Sequence, residues 1–400
     1  MKYAVLTHAN PRVSKGGGEL ASLALYEGLR DLGEDVVLIS MVPPEQLSSV
    51  WPSGRSEPVL TYDHATYDDF YHVADGVTQE EIVQTIKSLN VDFVFAHHFL
   101  FIGTNTLMRL KDEGIGVALT LHEFLAICQN HGQFVTSDEK QLCYESSAAK
   151  CTGCFSNKFA SQFAARGRHF QELLNNLDTI ISPSEFLADR FDEWGFPKTQ
   201  INIVENGLML KPSPEPEAPD LEDRSVVFGF FGQINPFKGA DVLIEAAEQL
   251  AKQGIEPSQM RIRIHGKFVG LPPDTHERYL TAMDENPLLE FTGAYEHRDV
   301  IRLMQGCDYV VIPSLWWENS PLVIQEAFLA GRPLIVSGIG GMAEKVRPGK
   351  DGLHFQVGRA DDLARQMIRG CDAELYQSFV SQLSQSITAK EMAEKYLELI

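Results

Sequence analysis

The sequence predicts two α/β domains, each a doubly wound parallel sheet covered by helices on both faces. Three observations lead there. Short apolar or β-branched runs alternate with longer helical patterns, and the series occurs twice. A proline-rich stretch separates the two series. The length, 400 residues, exceeds one ordinary core and suits two.

In the first series the strand candidates are Tyr3–Thr7, Val36–Met41, Phe93–Ala96, Val117–Leu121 and Thr179–Ser182. After Gly16-Gly17-Gly18, the residues Ala21, Leu25, Leu29 and Leu32 recur about every four positions, as an amphipathic helix requires. In the second series the candidates are Val226–Phe231, Arg261–His265, Tyr309–Ile312 and Pro333–Ser337. Leu243, Ala246, Ala247 and Leu250 give a helical stripe between the first two of these. Between the series, Lys211 to Pro219 holds four prolines in eight positions, which excludes a helix and a central strand. The expected organisation is therefore an N-terminal domain over 1–207, a linker over 208–222 and a C-terminal domain over 223–385. The segment Ala389–Ile400 closes the chain with a helical pattern. Two such domains are expected to face a cleft at the carboxyl ends of both sheets, where open α/β folds bind ligands.

A composition of 44% hydrophobic and 22% charged residues excludes wholesale disorder. With 34 basic against 55 acidic residues the net charge is −21, which argues against nucleic acid as a partner. No apolar run reaches the roughly 18 residues of a membrane span, and Met1 to His8 turns polar too soon for a signal peptide and reads as a first strand. A cytoplasmic enzyme is expected. Six cysteines are too few for a disulfide scaffold, yet Cys128, Cys143, Cys151 and Cys154 fall within 27 positions.

Two loops of the second series carry the sharpest chemistry. Gly232-Gln233-Ile234-Asn235-Pro236-Phe237-Lys238-Gly239 sets Lys238 just before a helix N-terminus, an arrangement that suits a phosphate; a solvated lysine beside a turn glycine is the plain alternative. Pro313 to Glu326 leads from a strand into another helix, with Ser320 suited to its N-cap and Pro321 to its first position. Glu318 lies among Trp316, Trp317, Pro313 and Pro321, and Glu326 nearly two turns into the helix. Carboxylates so placed suit sugar hydroxyls; an ordinary salt bridge and a surface acid are the plain alternatives.

The order Gly232…Lys238-Gly239, then Glu318 with Glu326 eight positions on, then Gly338-Ile339-Gly340-Gly341-Met342-Ala343-Glu344 resembles the family 4 retaining glycosyltransferases of the GT-B fold, over essentially the whole chain. The resemblance implies transfer from a nucleotide-diphosphate sugar to a saccharide or lipid-linked saccharide acceptor, in cell-surface polysaccharide or glycoconjugate synthesis. Lys238 would neutralise the donor diphosphate, Glu318 would bond the donor sugar and Glu326 the ribose. Asn319 and the backbone N–H groups of Ser320 and Leu322 would add donor contacts. The family usually has an arginine five positions before this lysine; here Gln233 stands in its place. Asn235, or a basic residue of the first domain, would then supply the missing contact. The base would lie near His265-Gly266-Lys267 and Thr292-Gly293-Ala294-Tyr295. Gly17 and Gly18 would lie close to the donor phosphates, since only glycine lets backbone approach so nearly. In enzymes of this fold the last helix crosses back to the first domain, which would carry 386–400 there.

Thr120-Leu121-His122-Glu123 resembles the family's His-Asp segment, with Glu123 for aspartate. His122 would touch the donor sugar or the acceptor near the reacting carbon, and His97-His98 would line the acceptor side; a satisfied strand-end histidine is the plain alternative. No enzymic nucleophile is evident, so the implied route is front-side, with the leaving phosphate helping to deprotonate the acceptor. No Asp-x-Asp signature calls for a catalytic metal. The cysteines, in an insertion over about 123–157, are candidates for a structural zinc site, a redox-sensitive loop or plain burial. The basic and aromatic run Lys158–Arg168 reads as a solvated helix face, or else as a contact for a charged, lipid-linked acceptor at the inner membrane surface. A nucleotide-sugar epimerase of the same architecture and a catalytically silent binding module remain the rival readings.

Overall fold

The computed structural model describes residues 1–14, 16–50, 57–137, 141–210, 221 and 224–400. The proline-rich segment 211–219, expected to be an extended linker, lies outside the described residues. The chain forms two compact units, Met1–Met209 with Ile387–Ile400, and Leu210–Ser386.

The first unit holds a seven-stranded parallel sheet. Its strands are β1 (Lys2–Thr7), β2 (Asp35–Val42), β3 (Val59–Thr61), β4 (Phe93–Ala96), β5 (Gly116–Thr120), β6 (Thr179–Ser182) and β7 (Ile201–Ile203). The order is β3-β2-β1-β4-β5-β6-β7. Central strands are buried on both faces, which is why β4 reads Phe-Val-Phe-Ala without alternation. The helix Gly17–Asp31 turns Ala21, Leu25 and Leu29 inward. The C-terminal helix Ala389–Leu397 adds Met392, Ala393 and Tyr396 to the same core. It packs close because position 28 is glycine: a Cβ there would stand 2.1 Å from the Ala389 carbonyl oxygen.

The second unit holds a six-stranded parallel sheet in the order β10-β9-β8-β11-β12-β13. These strands are β8 (Val226–Ile234), β9 (Met260–Phe268), β10 (Leu289–Gly293), β11 (Tyr309–Ile312), β12 (Leu334–Ser337) and β13 (Gly352–Phe355). Leu243, Ala246, Ala247 and Leu250 of the helix Ala240–Lys252 are all buried against it. β8 runs three residues beyond the sequence expectation, because Gly232, Gln233 and Ile234 still pair with Gly266, Lys267 and Phe268. Close pairing there needs glycine: a Cβ on Gly266 would lie 2.0 Å from the Gly232 carbonyl oxygen.

In each sheet the chain winds outward in both directions from a central pair, β1 with β4 and β8 with β11. Loops leaving the carboxyl ends of such a pair splay to opposite faces and open a crevice between them. The residues singled out by sequence lie at those ends: His97 and His98 just after β4 and Gly17 and Gly18 in the first turn of the helix after β1 in the first unit, Lys238 and Glu318 after β8 and β11 in the second.

Candidate active site

In the second unit the loop after β8 and the loop after β11 are bound together. The Phe237 carbonyl accepts from the Leu315 N–H at 2.8 Å. Gly239, at φ 75°, lets the chain turn under Pro313; a Cβ would stand 1.9 Å from the Pro313 carbonyl oxygen. Asn235 caps the turn, its Oδ1 accepting from the N–H groups of Phe237 and Lys238 at 3.0 Å each. Lys238 is thereby aimed at Glu318.

Three donors converge on Glu318 Oε1: Lys238 Nζ at 2.6 Å, Ser314 Oγ at 2.8 Å and Trp316 Nε1 at 2.8 Å. Trp316 stacks on Phe237 with centroids 5.0 Å apart, and Lys238 Nζ lies 5.5 Å over the indole. Burial would raise the Glu318 pKa, but the Lys238 ammonium and the three hydrogen bonds outweigh it and hold the carboxyl below its ordinary value. An ionised carboxylate with one crowded oxygen keeps its other oxygen for a ligand. Behind it the Gly341 N–H donates to the Glu318 carbonyl at 2.6 Å. A Cβ on Gly341 would lie 1.9 Å from the Asn319 carbonyl oxygen, so the glycine-rich turn fixes this loop's path. Asn319 is buried in that loop, with Ser320 beside it.

The helix that follows begins at Leu322, with Pro321 as its N-cap residue and no side-chain cap. This corrects the expected Ser320 cap: Pro321 sits at φ −69° and ψ 120°, extended rather than helical, so the helix starts one residue later. Glu326 is 5% exposed, and its Oε1 accepts from His297 Nε2 at 2.7 Å. His297 was not among the residues expected from sequence. It comes from the 3-10 turn His297–Asp299, 29 positions away, and only the sheet order brings it to Glu326.

His265 stacks on Phe231 at 4.6 Å and bonds Thr292 Oγ1 through Nδ1 at 2.7 Å. Burial and the nearby Arg263 bring its pKa down to about 4, so the ring is neutral. His265, Thr292, Gly293, Ala294 and Tyr295 line a cavity of about 370 Å³, which Arg263, Glu290 and Arg302 also border. Lys238, Glu318 and Glu326 are not among its lining residues. Gln233 is exposed at the end of β8, its Oε1 accepting from Asn235 Nδ2 at 3.5 Å.

In the first unit four histidines gather where β1, β4 and β5 end. His97 Nδ1 and His122 Nε2 are 3.0 Å apart. His8, missed by the sequence reading although it directly follows β1, lies with its ring centroid 4.6 Å from that of His98. His98 Nδ1 accepts from the N–H groups of Phe99 and Leu100 at 3.0 and 2.8 Å. Its proton therefore sits on Nε2, which donates to Glu123 Oε1 at 3.0 Å. Burial first, and the neighbouring imidazoles second, hold His122 well below the ordinary imidazole range. A Cβ on Gly18 would stand 3.4 Å from the His122 ring, while Gly17 faces open space. Tyr396 of the C-terminal helix stacks on His97 and bonds Thr120 Oγ1 at 3.0 Å, fixing the cluster from behind.

One expectation needs correction. The four clustered cysteines are not gathered as a metal site: among the described residues no three His, Cys, Asp or Glu side chains are placed to hold an ion. Cys143 turns to the Glu145 carbonyl at 3.3 Å, and Cys151 to Ser146 Oγ at 3.4 Å. In the run Lys158–Arg168 the helix has two faces: Phe163 and Arg166 are buried, while Phe159, Ala160, Ser161 and Arg168 are exposed. Among the described residues, no helix is long and apolar enough to cross a membrane.

The comparisons with known proteins meet this geometry. The family model for glycosyl transferases group 1 matches residues 225–372, and that for Glycosyltransferase Family 4 matches residues 15–211. The chain belongs to the group 1, family 4 glycosyltransferases. A D-inositol 3-phosphate glycosyltransferase of Corynebacterium efficiens is 25% identical over 195 residues, 46% of each chain. A UDP-Gal:alpha-D-GlcNAc-diphosphoundecaprenol alpha-1,3-galactosyltransferase of Escherichia coli is 27% identical over 224 residues, 54% of each. The chain thus spans about half the length of the curated relatives it matches. In structure it is similar to Anabaena Alr3699/HepE, crystallised with UDP, at TM-score 0.70, 19% identity and coverage of 100% and 99%. Staphylococcus aureus TarM aligns at TM-score 0.69 and 11% identity over 100% and 99%. Both have the GT-B fold, and so does this family member.

Proposed function

We propose that the protein is a retaining, metal-independent hexosyltransferase that moves a sugar from a nucleotide-diphosphate donor to a hydroxyl acceptor. The observation that carries the reading is the Lys238–Glu318 pair at the switch point of the second sheet. Lys238 meets the diphosphate and Glu318 the sugar hydroxyls, so the ammonium that pairs with the carboxylate turns to partner the departing phosphate once donor is bound. Glu326, held by His297, takes the ribose, and the cavity beside His265 and Tyr295 takes the base. Asn319, Ser320 and Leu322 complete the donor site, with Gly17, Gly18, Gln233 and Gly266 as backbone or secondary contacts. In the first unit His97, His98 and His122 serve the acceptor, a saccharide or lipid-linked saccharide; the E. coli relative is named for a lipid-linked one.

The step breaks the bond from the anomeric carbon to the diphosphate and forms one to the acceptor oxygen on the same face. The acceptor proton passes to the leaving phosphate oxygen, and the protein supplies position and charge. Cell-surface polysaccharide or glycoconjugate synthesis is the setting this chemistry fits.

Incubation with α-linked UDP-, GDP-, ADP-, CDP- and dTDP-sugars, in EDTA, tests the reading. Release of nucleoside diphosphate with an α-linked product supports it. A β-linked product would remove the retaining assignment, and loss of turnover in EDTA the metal-independent one. A C2 or C4 epimer of the donor would instead favour the epimerase.

A further inference from the structure

Among the described residues, the cation that the helix Ala160–Asn176 buries has no anionic partner. Arg166 Nε donates to the Phe70 carbonyl at 2.9 Å and to Gln129 Oε1 at 3.1 Å. Nη1 donates to the Ala126 carbonyl at 2.7 Å and Nη2 to the Leu125 carbonyl at 2.5 Å. These partners are dipoles, and they engage three of the five N–H groups a guanidinium carries. Among the described residues the ionisable side chains seen to act with Arg166 are Cys128, Cys151, Tyr71, His72 and His169, none of them a carboxylate. Burial pushes the Cys128 thiol up to about 11, so it stays neutral and gives no counter-charge. A charge withdrawn from water without a counter-charge is costly. That it occurs in a chain with 55 acidic and 34 basic residues points to a ligand that brings the charge.

A cavity of about 200 Å³ opens beside the guanidinium. Arg168 stands on its wall, exposed, and Ser147 and Trp194 also line it. Ser147 Oγ accepts from the Lys150 N–H at 3.3 Å, which leaves its own proton to donate. Among the described residues, no Asp or Glu lines the cavity. The volume is below the range of about 300–1,000 Å³ that suits a whole drug-sized ligand, and fits a small headgroup. The loop that carries His122 runs directly to this place: Leu125 and Ala126, whose carbonyls hold Arg166, line the recess beside His122 and Glu123.

We propose that this cavity is a phosphoryl subsite of the first unit, which takes a phosphate or diphosphate group on Arg166, Arg168 and Ser147. It is separate from the donor residues, all of them at issue in the transferase reading, and stands or falls without that reading. The phosphoryl group comes either from a charged acceptor, such as a prenyl diphosphate-linked sugar, or from a free phosphate that acts as an effector.

Calorimetric titration of inorganic pyrophosphate tests the subsite, in the full-length Lys238→Ala chain so that the donor cation is absent. Binding is expected there, and at least tenfold weaker once Arg168→Gln is added. Arg168 is exposed, so this second change spares the fold, whereas Arg166→Gln would also remove four buried hydrogen bonds. Absence of pyrophosphate binding to the Lys238→Ala chain, or equal affinity with and without Arg168→Gln, would overturn the proposal. Geranyl diphosphate then separates the sources. Competition with pyrophosphate through Arg168 assigns the subsite to a prenyl diphosphate acceptor, and pyrophosphate binding unaffected by geranyl diphosphate assigns it to a free anion.

Discussion

Glu318 gathers three donors on one oxygen, and Lys238 is the only charged one among them. Lys238→Ala removes the charge that meets the leaving diphosphate, so turnover at saturating donor should fall at least a hundredfold, in line with the loss of one transition-state donor. Wild-type turnover in a steady-state assay would end this role. Gln233 gives a complementary test. It is exposed at the end of β8, where the resembling family has a second cation. Gln233→Arg should tighten nucleoside diphosphate binding about tenfold, near 1.4 kcal/mol, as read by calorimetry. The glutamate pair was legible in the sequence because eight positions and a preceding strand confine it to one loop and one helix. His297 and His8 were not, since neither carries a local signal: His297 reaches Glu326 only through the sheet order, and His8 meets His98 only because β1 lies beside β4.

Among the elements, the turn at Gly239 holds two loops in register. Gly239→Ala must both adopt φ 75° and displace the Pro313 carbonyl, so it should separate Lys238 from Glu318. Donor turnover is expected to fall about as far as in Lys238→Ala, with secondary structure by circular dichroism unchanged; full activity would show that the turn does not position the lysine. Gly28→Ala presses on the C-terminal helix, and an overpacking cost of about 1–3 kcal/mol should appear in denaturant unfolding. The central strands were evident as apolar runs, even β4, β6, β11 and β12 with four residues each. β3, β7, β10 and β13 escaped: each ends its sheet, and the three middle residues of β10 are exposed. An edge strand lacks the two buried faces that make a run continuously apolar.

For the whole molecule, acid is the predicted weakness. Burial holds His97 at about 3, His265 at about 4 and His72 near 2, against 6.5 when unfolded. The unfolded chain therefore binds more protons below pH 6.5. Stability is complete above that pH and is lost as pH falls from about 6.5 toward 4, by about 1.4 kcal/mol per unit for each such histidine. His8, His72, His97 and His122 all belong to the first unit, so its calorimetric transition should fall further than that of the second between pH 7.5 and 5.5. Equal transitions at both pH values would contradict the burial described. The two-unit architecture was legible because alternation and length act over whole domains, whereas the setting of Arg166 depends on three backbone carbonyls and Gln129 Oε1, which no spacing encodes.

The central claim is that the Lys238–Glu318 pair builds a diphosphate site, and thermal unfolding against UDP, GDP, ADP, CDP and dTDP tests it most directly. A ligand at a hundredfold its Kd stabilises by about 2.7 kcal/mol, a shift of a few degrees in Tm. One nucleoside diphosphate should give that shift in the wild-type chain and lose it in Lys238→Ala. No shift with any of the five, or the same shift in the variant, would contradict the account.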